Sequence, residues 1–424
     1  MDTVAIVIPC LNEAENLDLL LPRVKHAIHS FASRSAIYVV DGGSTDGTQD
    51  VARRHAVQLL EQRGEGYGGA IRTAFEDINA GYLITLDADL SHHPAIVRHL
   101  YGRRDEAEIV IASRYVSQGY ADMPWMRKVL SIVLNWTFRR ALSLEVRDLS
   151  SGYRLYHRKA VAHLNLEFDT YAILQEILVK AYCEGYRVVE IPFHYLPRRH
   201  GATHARLWRF GRDYLVALGR MWRLRNSIAS ADYDMRAFRS RIPLQRWWQR
   251  RRYRIVLDFL GDRERVLDAG CGSSQILNGA PQIVGCDIQQ RKLRFMRRQG
   301  RSLVNASTFA LPFKDAAFEA VLSSQVIEHI PEDDAVFEEL VRCIEPGGVL
   351  ILGTPDYGGW QWPLIERLYR IAKPNGYADE HITHYTFATL IERLTRMGLA
   401  IEDHAYILGA ELVIKARKPE TSTA

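Results

Sequence analysis

Residues 82–94 read YLITLDADLSHHP, an apolar run that ends in two acids separated by one residue. Similar β-branched runs occur at 4–9 (VAIVIP), 36–41 (AIYVVD) and 108–113 (EIVIAS), and helical stretches separate them. Strands that alternate with helices predict a parallel, doubly wound sheet, in which ligands bind beyond the carboxyl ends of the strands. The polar residues that follow these strands are therefore candidate site residues.

A second block of the same kind follows later in the chain, with VLDAGCG at 266–272 and VLILGTP at 349–355. A chain of 424 residues exceeds one typical hydrophobic core. The sequence therefore predicts an α/β protein of two doubly wound, Rossmann-like domains, at 1–225 and 253–418. We interpret the basic and aromatic stretch 226–252 as a linker.

Composition and charge favour some partners and disfavour others. The net charge of +5 favours anionic partners, and the five cysteines lack the CxxC spacing of a zinc site or a disulfide framework. No nucleic-acid-binding motif accompanies the basic run 245–254, so no nucleic acid partner is expected. The amino terminus lacks a signal-peptide pattern, and Val129 to Phe138 is too short to span a bilayer. We expect a cytoplasmic protein, peripheral on the inner membrane face.

The acids Asp87 and Asp89 form a candidate metal site at the end of their strand. Carboxylates placed one residue apart can meet one hard cation, and Mg²⁺ so held completes its shell with substrate phosphates. The pattern predicts Mg²⁺ or Mn²⁺ as a cofactor. By itself the triplet also fits a solvated loop.

The first half of the chain resembles the inverting glycosyltransferases of family 2, and within them the polyprenyl-phosphate (dolichol-phosphate) mannosyltransferases. The motifs that carry the resemblance occur in family order: 7–13, 40–48, 87–94, 113–115, 148–154 and 198–201. The resemblance implies a GT-A fold and metal-dependent transfer of a hexose, with mannose favoured, from a nucleotide-sugar to a polyprenyl phosphate. GDP-mannose is the favoured donor.

The family's site residues map onto this chain position by position. The resemblance implies nucleotide-sugar contacts at Pro9, Leu11, Glu13, Val40, Asp41, Asp87, Ala88 and Asp89, of which Asp87 and Asp89 hold the metal. Because a polyprenyl phosphate is already an anion, the enzyme needs cations to place it and no base to deprotonate it. The candidate catalytic residues are Asp89, Arg114, Arg127, Ser131 and Arg198.

Two positions depart from the family pattern. Gly42 stands where the family has an acid that binds the base of the donor nucleotide, so the sequence does not determine which nucleotide the donor carries. His204 stands where a lysine is expected, so a positive charge that lysine carries permanently would depend on pH here.

Between 206 and 223, arginines and apolar residues fall on separate sectors of a helical wheel, which suits either an anionic membrane surface or packing on the domain.

The second half carries an acid directly before a glycine turn, at Asp268, Gly270 and Gly272. Asp287 ends the next strand, where an acid commonly accepts ribose hydroxyls. The block from about Tyr253 to Lys418 resembles the class I methyltransferases, which implies S-adenosyl-L-methionine as cofactor. Ser307 stands where the family has an acid that reads the adenine amine.

The sequence leaves the methyl acceptor, the oligomeric state and the activity of the methyltransferase open. His329, His381 and His384 are candidate bases for a hydroxyl acceptor. The leading hypothesis is a bifunctional transferase. The alternative is a glycosyltransferase with a soluble acceptor, whose methyltransferase-like domain serves only as a binding or scaffold module.

Overall fold

Two seven-stranded sheets, one in each half of the chain, organise the structure, a computed structural model. It describes residues 3–29, 34–197, 207–279, 282–372 and 381–420. The first unit is formed by Met1–Tyr182 and Tyr186–Arg223, and the second by Cys183–Gly185 and Leu224–Ala424. Each unit alternates strands and helices, which confirms the predicted α/β class.

The elements of the first unit follow the predicted strand–helix alternation. Its strands are β1 (Val4–Cys10), β2 (Ser35–Asp41), β3 (Gln58–Glu61), β4 (Tyr82–Thr85), β5 (Ile109–Ser113), β6 (Tyr120–Ala121), β7 (Arg154–His157), β8 (Val188–Pro192) and β9 (His194–Tyr195). Its helices are α1 (Ala14–His29), α2 (Thr48–Arg54), α3 (Gly66–Asp77), α4 (Ile96–Gly102), α5 (Trp125–Leu142), α6 (Arg158–Val161), α7 (Ile173–Cys183) and α8 (Leu207–Arg225).

The large sheet of this unit has the strand order β3-β2-β1-β4-β7-β5-β8. β1 pairs in parallel with β2 and β4 and is buried along nearly its whole length, which explains its unbroken apolar run. β7 runs antiparallel to both β4 and β5, so the sheet is mixed and the prediction of a purely parallel sheet is wrong. Four residues are too few to show a strand period in the sequence.

The second unit is built in the same way. Its strands are β10 (Val266–Ala269), β11 (Ile283–Asp287), β12 (Ser302–Asn305), β13 (Phe318–Ser324), β14 (Ile344–Pro355), β15 (Ala400–Ile407) and β16 (Glu411–Arg417). Its helices are α9 (Tyr233–Phe238), α10 (Pro243–Leu260), α11 (Gln290–Arg297), α12 (Asp334–Arg342), α13 (Gln361–Ala372) and α14 (Phe387–Arg396), with short 3₁₀ turns at Gln275–Asn278 and Ile327–His329.

The sheet of the second unit has the order β12-β11-β10-β13-β14-β16-β15. β10 is central and pairs in parallel with β11 and β13, while β16 runs antiparallel to β14 and β15. The carboxyl end of β10, which carries Asp268, therefore lies beside the ends of β11 and β13.

The segment 226–252, predicted to be a linker, is largely helical. It contains α9 and the first half of α10, and both belong to the second unit. α10 buries Ile255, Val256 and Leu260 against the sheet, and Trp248 Nε1 donates a hydrogen bond to the buried Glu411. The apolar side chains of α10 pack against the sheet, so this part of the segment folds as a helix although its surface is basic.

Candidate active sites

The two acids of the first site follow β4 in a tightly organised turn. Leu90, between Asp89 and Ser91, adopts φ +63°, in the left-handed region that few non-glycine residues enter. The Ser91 N–H donates to Asp89 Oδ1 at 3.0 Å, and the Asp87 N–H donates to His92 Nδ1 at 2.9 Å. The side chain of Asp87 is 28% exposed and Asp89 is buried. The turn therefore fixes the Asp89 carboxylate and the backbone of Asp87, whose carboxylate is open to a ligand.

Tyr67 belongs to this site, although the sequence did not single it out. Among the described residues, its buried hydroxyl oxygen has no hydrogen-bond partner. A Cβ built on Gly152 would lie 2.7 Å from that oxygen and 3.4 Å from Asp87 Oδ1. Burial raises the pKa of Tyr67 well above its ordinary value, and the charge of Asp87 adds to the effect, so the hydroxyl keeps its proton.

A divalent cation with a diphosphate fits these groups. Two carboxylates supply oxygen ligands for Mg²⁺ or Mn²⁺, and the hydroxyl of Tyr67 is a donor for a phosphate oxygen. Gly152 keeps the space between Tyr67 and Asp87 open.

Replacing Gly152 by alanine should reduce the sugar transfer that the resemblance implies by about tenfold to a hundredfold, because the added methyl group displaces Tyr67 or Asp87. Gly102→Ala is the matched control, since a Cβ there meets nothing within 4 Å. Initial rates at saturating donor, together with thermal unfolding, measure the effect. Full activity in a folded Gly152→Ala protein would contradict the assignment of this space.

Loop contacts join the ends of β1 and β2. Asp41 Oδ2 accepts from the N–H groups of Gly43 and Ser44 at 3.2 and 3.1 Å, and from Gln49 Nε2 at 2.8 Å. Asn12 Oδ1 accepts from the Thr45 N–H at 2.8 Å. Asp41 thus shapes the loop beside the predicted nucleotide pocket.

The other predicted nucleotide contacts lie at the same sheet edge with different exposure. Leu11 is 45% exposed, while Pro9 and Glu13 are half-buried. Val40 and Ala88 are buried. A ligand there would meet Leu11 first.

Arg114, one of the predicted catalytic residues, is paired with a buried acid. Its Nε and Nη2 donate to the two oxygens of Asp148 at 2.8 and 2.7 Å, and Nη2 also reaches Ser150 Oγ at 2.7 Å. Burial opposes ionisation of Asp148, but the charge and hydrogen bonds of Arg114 hold the pKa of this carboxyl below its ordinary value. This leaves Nη1 as the nitrogen with which Arg114 would meet a phosphate.

The described part of the chain shows two of the three residues predicted to place the acceptor phosphate, Arg127, Ser131 and Arg198. Ser131 Oγ accepts a hydrogen bond from the Tyr115 hydroxyl at 2.8 Å, and Asn135 links it to Ser150. Arg127 is exposed in the first turns of α5. Arg198, like the departing position His204, lies outside the described residues.

The five predicted cofactor residues of the second unit line one cavity of about 570 Å³: Asp268, Gly270, Gly272, Asp287 and Ser307. Asp268 is 2% exposed, and its Oδ2 has no hydrogen-bond partner in the part of the chain that is described. Burial, with Asp287 and Asp234 adding, raises the pKa of Asp268 to about 8. A cationic ligand such as the amino end of S-adenosyl-L-methionine fits this carboxyl.

The turn after β10 requires glycine. Gly270 has φ +81°, and a Cβ there would lie 2.3 Å from Val326 Cγ2. The N–H of Gly272 donates to Asp287 Oδ2 at 2.8 Å, which fixes the acid at the end of β11. The backbone can therefore approach a ligand between the two strands.

Asp234, from the segment predicted to be a linker, supports this turn. Its Oδ2 accepts from the N–H and Oγ of Ser273 at 3.0 and 2.9 Å and lies 3.3 Å from Lys292 Nζ. Burial opposes its ionisation, yet Lys292 and these hydrogen bonds hold the pKa of Asp234 below its ordinary value.

A cluster of titratable side chains lies beside the cavity. Ligand atoms of Glu328, His329 and His381 lie within 4.8 Å of one another, and His329 lines the cavity. His381 Nδ1 is 2.7 Å from the Tyr357 hydroxyl, on whose ring His384 stacks. Burial lowers the pKa of His381 to about 4 and raises that of Glu328 to about 8, so the imidazole is neutral near pH 7. A neutral imidazole can accept a proton from a hydroxyl.

Comparison with known proteins gives the family. Residues 5–164 match the model of glycosyl transferase family 2. The polyprenol monophosphomannose synthase of Mycolicibacterium smegmatis is 33% identical over 213 residues, which cover 47% of this chain and 79% of that protein. The chain belongs to glycosyl transferase family 2.

Other relatives of this family 2 member are also glycosyltransferases. An uncharacterized glycosyltransferase of Mycobacterium tuberculosis is 30% identical over 48% of this chain and 89% of its own length. A dolichol-phosphate mannosyltransferase of Pyrococcus furiosus is 30% identical over 47% of this chain and 58% of its own length. Residues 267–352 match the model of a methyltransferase domain, so the family 2 domain is followed by a methyltransferase domain.

The sequence carried a signal for one of the two residues it missed. Tyr67 lies in the glycine-rich stretch 64–69 between β3 and the first turn of α3, where a close approach of backbone to ligand is common. Asp234 had no such signal, because nothing local connects it with Ser273.

Among the described helices, none combines the length and apolarity needed to cross a bilayer.

Proposed function

We propose that the family 2 domain transfers a hexose, in the first place mannose from GDP-mannose, to a polyprenyl phosphate, with inversion and with Mg²⁺ or Mn²⁺ as cofactor. The printed names of two relatives, a polyprenol monophosphomannose synthase and a dolichol-phosphate mannosyltransferase, support this substrate class. The observation that carries the proposal is that the Tyr67 hydroxyl and Asp87 Oδ1 both border the space above Gly152, with Asp89 in the same turn as Asp87.

Each residue has a role that follows from its chemistry. Asp87 and Asp89 would hold the cation, whose charge favours departure of the nucleoside diphosphate. The neutral Tyr67 hydroxyl donates to a phosphate oxygen. Arg127 and Ser131 orient the acceptor phosphate together with Arg198, and no base is needed because the acceptor is already an anion.

The outer face of α5 supports a lipid acceptor and a peripheral membrane location. The helix buries Asn135, Phe138 and Leu142, and its opposite face is apolar. Exposed on that face are Trp125 (73%), Met126 (68%), Val129 (51%), Leu130 (57%), Ile132 (45%), Val133 (52%) and Trp136 (62%). Exposed Arg139 and Arg140 follow in the last turn. An apolar helix face flanked by basic residues suits an anionic membrane surface.

The helix α8, predicted to carry a basic stripe beside an apolar face, supports this less directly. Leu215 is 71% exposed and Met221 is buried, while Arg220 pairs with Glu167 at 2.7 Å. The side chains of 206–210 lie outside the described residues.

The double change Val133→Glu and Trp136→Glu should weaken binding to anionic phospholipid vesicles at least about tenfold, since charge replaces two side chains that bury apolar area. Co-sedimentation with phosphatidylglycerol vesicles at low salt measures it. Leu19→Glu, at a 42% exposed position on α1, is the control for added charge. Wild-type protein that stays in the supernatant would refute the membrane location.

The transfer itself is tested with radiolabelled nucleotide-sugars, Mn²⁺ and a short-chain polyprenyl phosphate. Product that partitions into organic solvent and is labile to mild acid supports the proposal. Label found only in water-soluble glycosides would favour the alternative of a soluble acceptor.

For the methyltransferase domain we propose S-adenosyl-L-methionine as cofactor, with Asp268 at its amino end and Asp287 at the ribose. Ser307 Oγ accepts from the Phe309 N–H at 3.2 Å and retains a lone pair for the adenine amine. His381 is the candidate base for a hydroxyl acceptor. A domain that binds no S-adenosyl-L-methionine would instead be a scaffold module.

A further inference from the structure

Gly42 leaves a gap at the sheet edge that the side chain of Gln62 borders. A Cβ built on Gly42 would lie 3.0 Å from Gln62 Oε1 and 3.7 Å from Leu11 Cδ1. Gln62 directly follows β3, and its N–H donates to the Asp41 carbonyl at 2.9 Å. The amide of Gln62 therefore stands beside the position where an acid at residue 42 would project.

Backbone contacts fix which end of this amide faces the gap. Gln62 Nε2 donates to the carbonyl oxygens of Gly64 and Gly66 at 3.0 and 2.8 Å. These two bonds use both amide protons, so Oε1 is the atom presented toward Gly42. The gap thus receives a fixed, neutral acceptor.

The neighbours of Oε1 suit a flat heterocycle. Leu11, 45% exposed, offers an apolar surface next to this acceptor. Asp41 is the other acid nearby: its Oδ2 is used by the loop after β2, and its Oδ1, which has no hydrogen-bond partner among the described residues, is buried in a residue only 1% exposed. Gln62 is therefore better placed than Asp41 to meet a base.

We propose that Gln62 Oε1 reads the base of the donor nucleotide by accepting a lactam N–H, the N1–H of guanine or the N3–H of uracil. This rests on the proposed use of a nucleotide-sugar. Cytosine and adenine present a ring nitrogen acceptor at that edge, which would face Oε1 without a proton between them. One neutral oxygen does not pair with two adjacent donors as a carboxylate does. Gln62 should therefore distinguish guanine from uracil by a smaller difference in affinity than an acid would.

Calorimetry on the full chain with Mn²⁺ tests the proposal, with GDP, UDP, CDP, ADP and N1-methyl-GDP as probes. We expect GDP or UDP to bind about tenfold more tightly than CDP and ADP. Gln62→Ala should remove that preference and bind N1-methyl-GDP and GDP equally. Gln58→Ala, an exposed position at the start of β3, should behave as wild type.

The probes separate base reading from a loosened loop. If Gln62→Ala only disturbs the turn at 62–66, the affinity for every nucleotide falls by the same factor and the preference for a lactam base persists. That result would overturn the proposal. A wild-type protein that binds GDP or UDP no more tightly than CDP would also overturn it. Binding of no nucleotide at all would refute the nucleotide-sugar function itself.

Discussion

Asp89→Asn should lower sugar transfer to polyprenyl phosphate about a thousandfold, the largest effect we expect in the family 2 domain. Asparagine keeps the size of the side chain and the carbonyl oxygen that accepts from the Ser91 N–H, but it removes the charge that a divalent cation needs. Initial rates at saturating Mn²⁺ measure the loss. Chelation of the wild-type protein should give a similar loss that added Mn²⁺ reverses.

Two controls separate this effect from unfolding. Asp105→Asn removes an exposed acid on the loop after α4 and should leave the rate unchanged. Binding of S-adenosyl-L-methionine by the second unit should be the same in Asp89→Asn as in wild type. An Asp89→Asn protein that keeps a tenth or more of wild-type activity would rule out the proposed metal site.

Strand-end acids were predictable because their signal is local. Asp87 and Asp89 follow an apolar run, while Asp268 is the last residue but one of β10 and Asp287 ends β11. A run of β-branched residues followed by an acid places the side chain at the carboxyl edge of the sheet, whatever the rest of the chain does.

Residues that depend on distant contacts were not predictable in this way. Tyr67 gains its role from Gly152, which reaches the site only because β7 inserts between β4 and β5. Asp234 meets Ser273 across 39 residues of sequence. Arg114 was predicted as a catalytic residue, but its pairing with Asp148 through two of its nitrogens was not predictable. Local patterns carry no information on such pairings.

Asp268→Asn should weaken binding of S-adenosyl-L-methionine about a hundredfold, because a charged acceptor for its ammonium group is lost.

The same change should stabilise the ligand-free protein near pH 8. The pKa of the Asp268 carboxyl is about 8 in the folded chain against an ordinary 3.8, so its contribution to stability is complete below pH 3.8 and is lost as pH rises through 8. Asparagine carries no charge to bury at any pH. Calorimetry and thermal unfolding measure the two effects.

The pH dependence of binding distinguishes this account from a simple loss of shape. In wild type the ligand must meet an ionised Asp268, so affinity should rise by up to about tenfold per pH unit from pH 6 toward 8, with a proton released on binding, and fall again where the ligand's own ammonium group loses its proton. Asp268→Asn should bind weakly and without this slope, while Asp258→Asn, at an exposed position on α10, should keep the wild-type profile. Wild-type affinity that is flat across this range would contradict the coupling of binding to ionisation of Asp268. Since the neighbouring Asp287 and Asp234 raise the pKa of Asp268, a cation in the cavity relieves a repulsion built into the turn, and binding and ionisation are one coupled event.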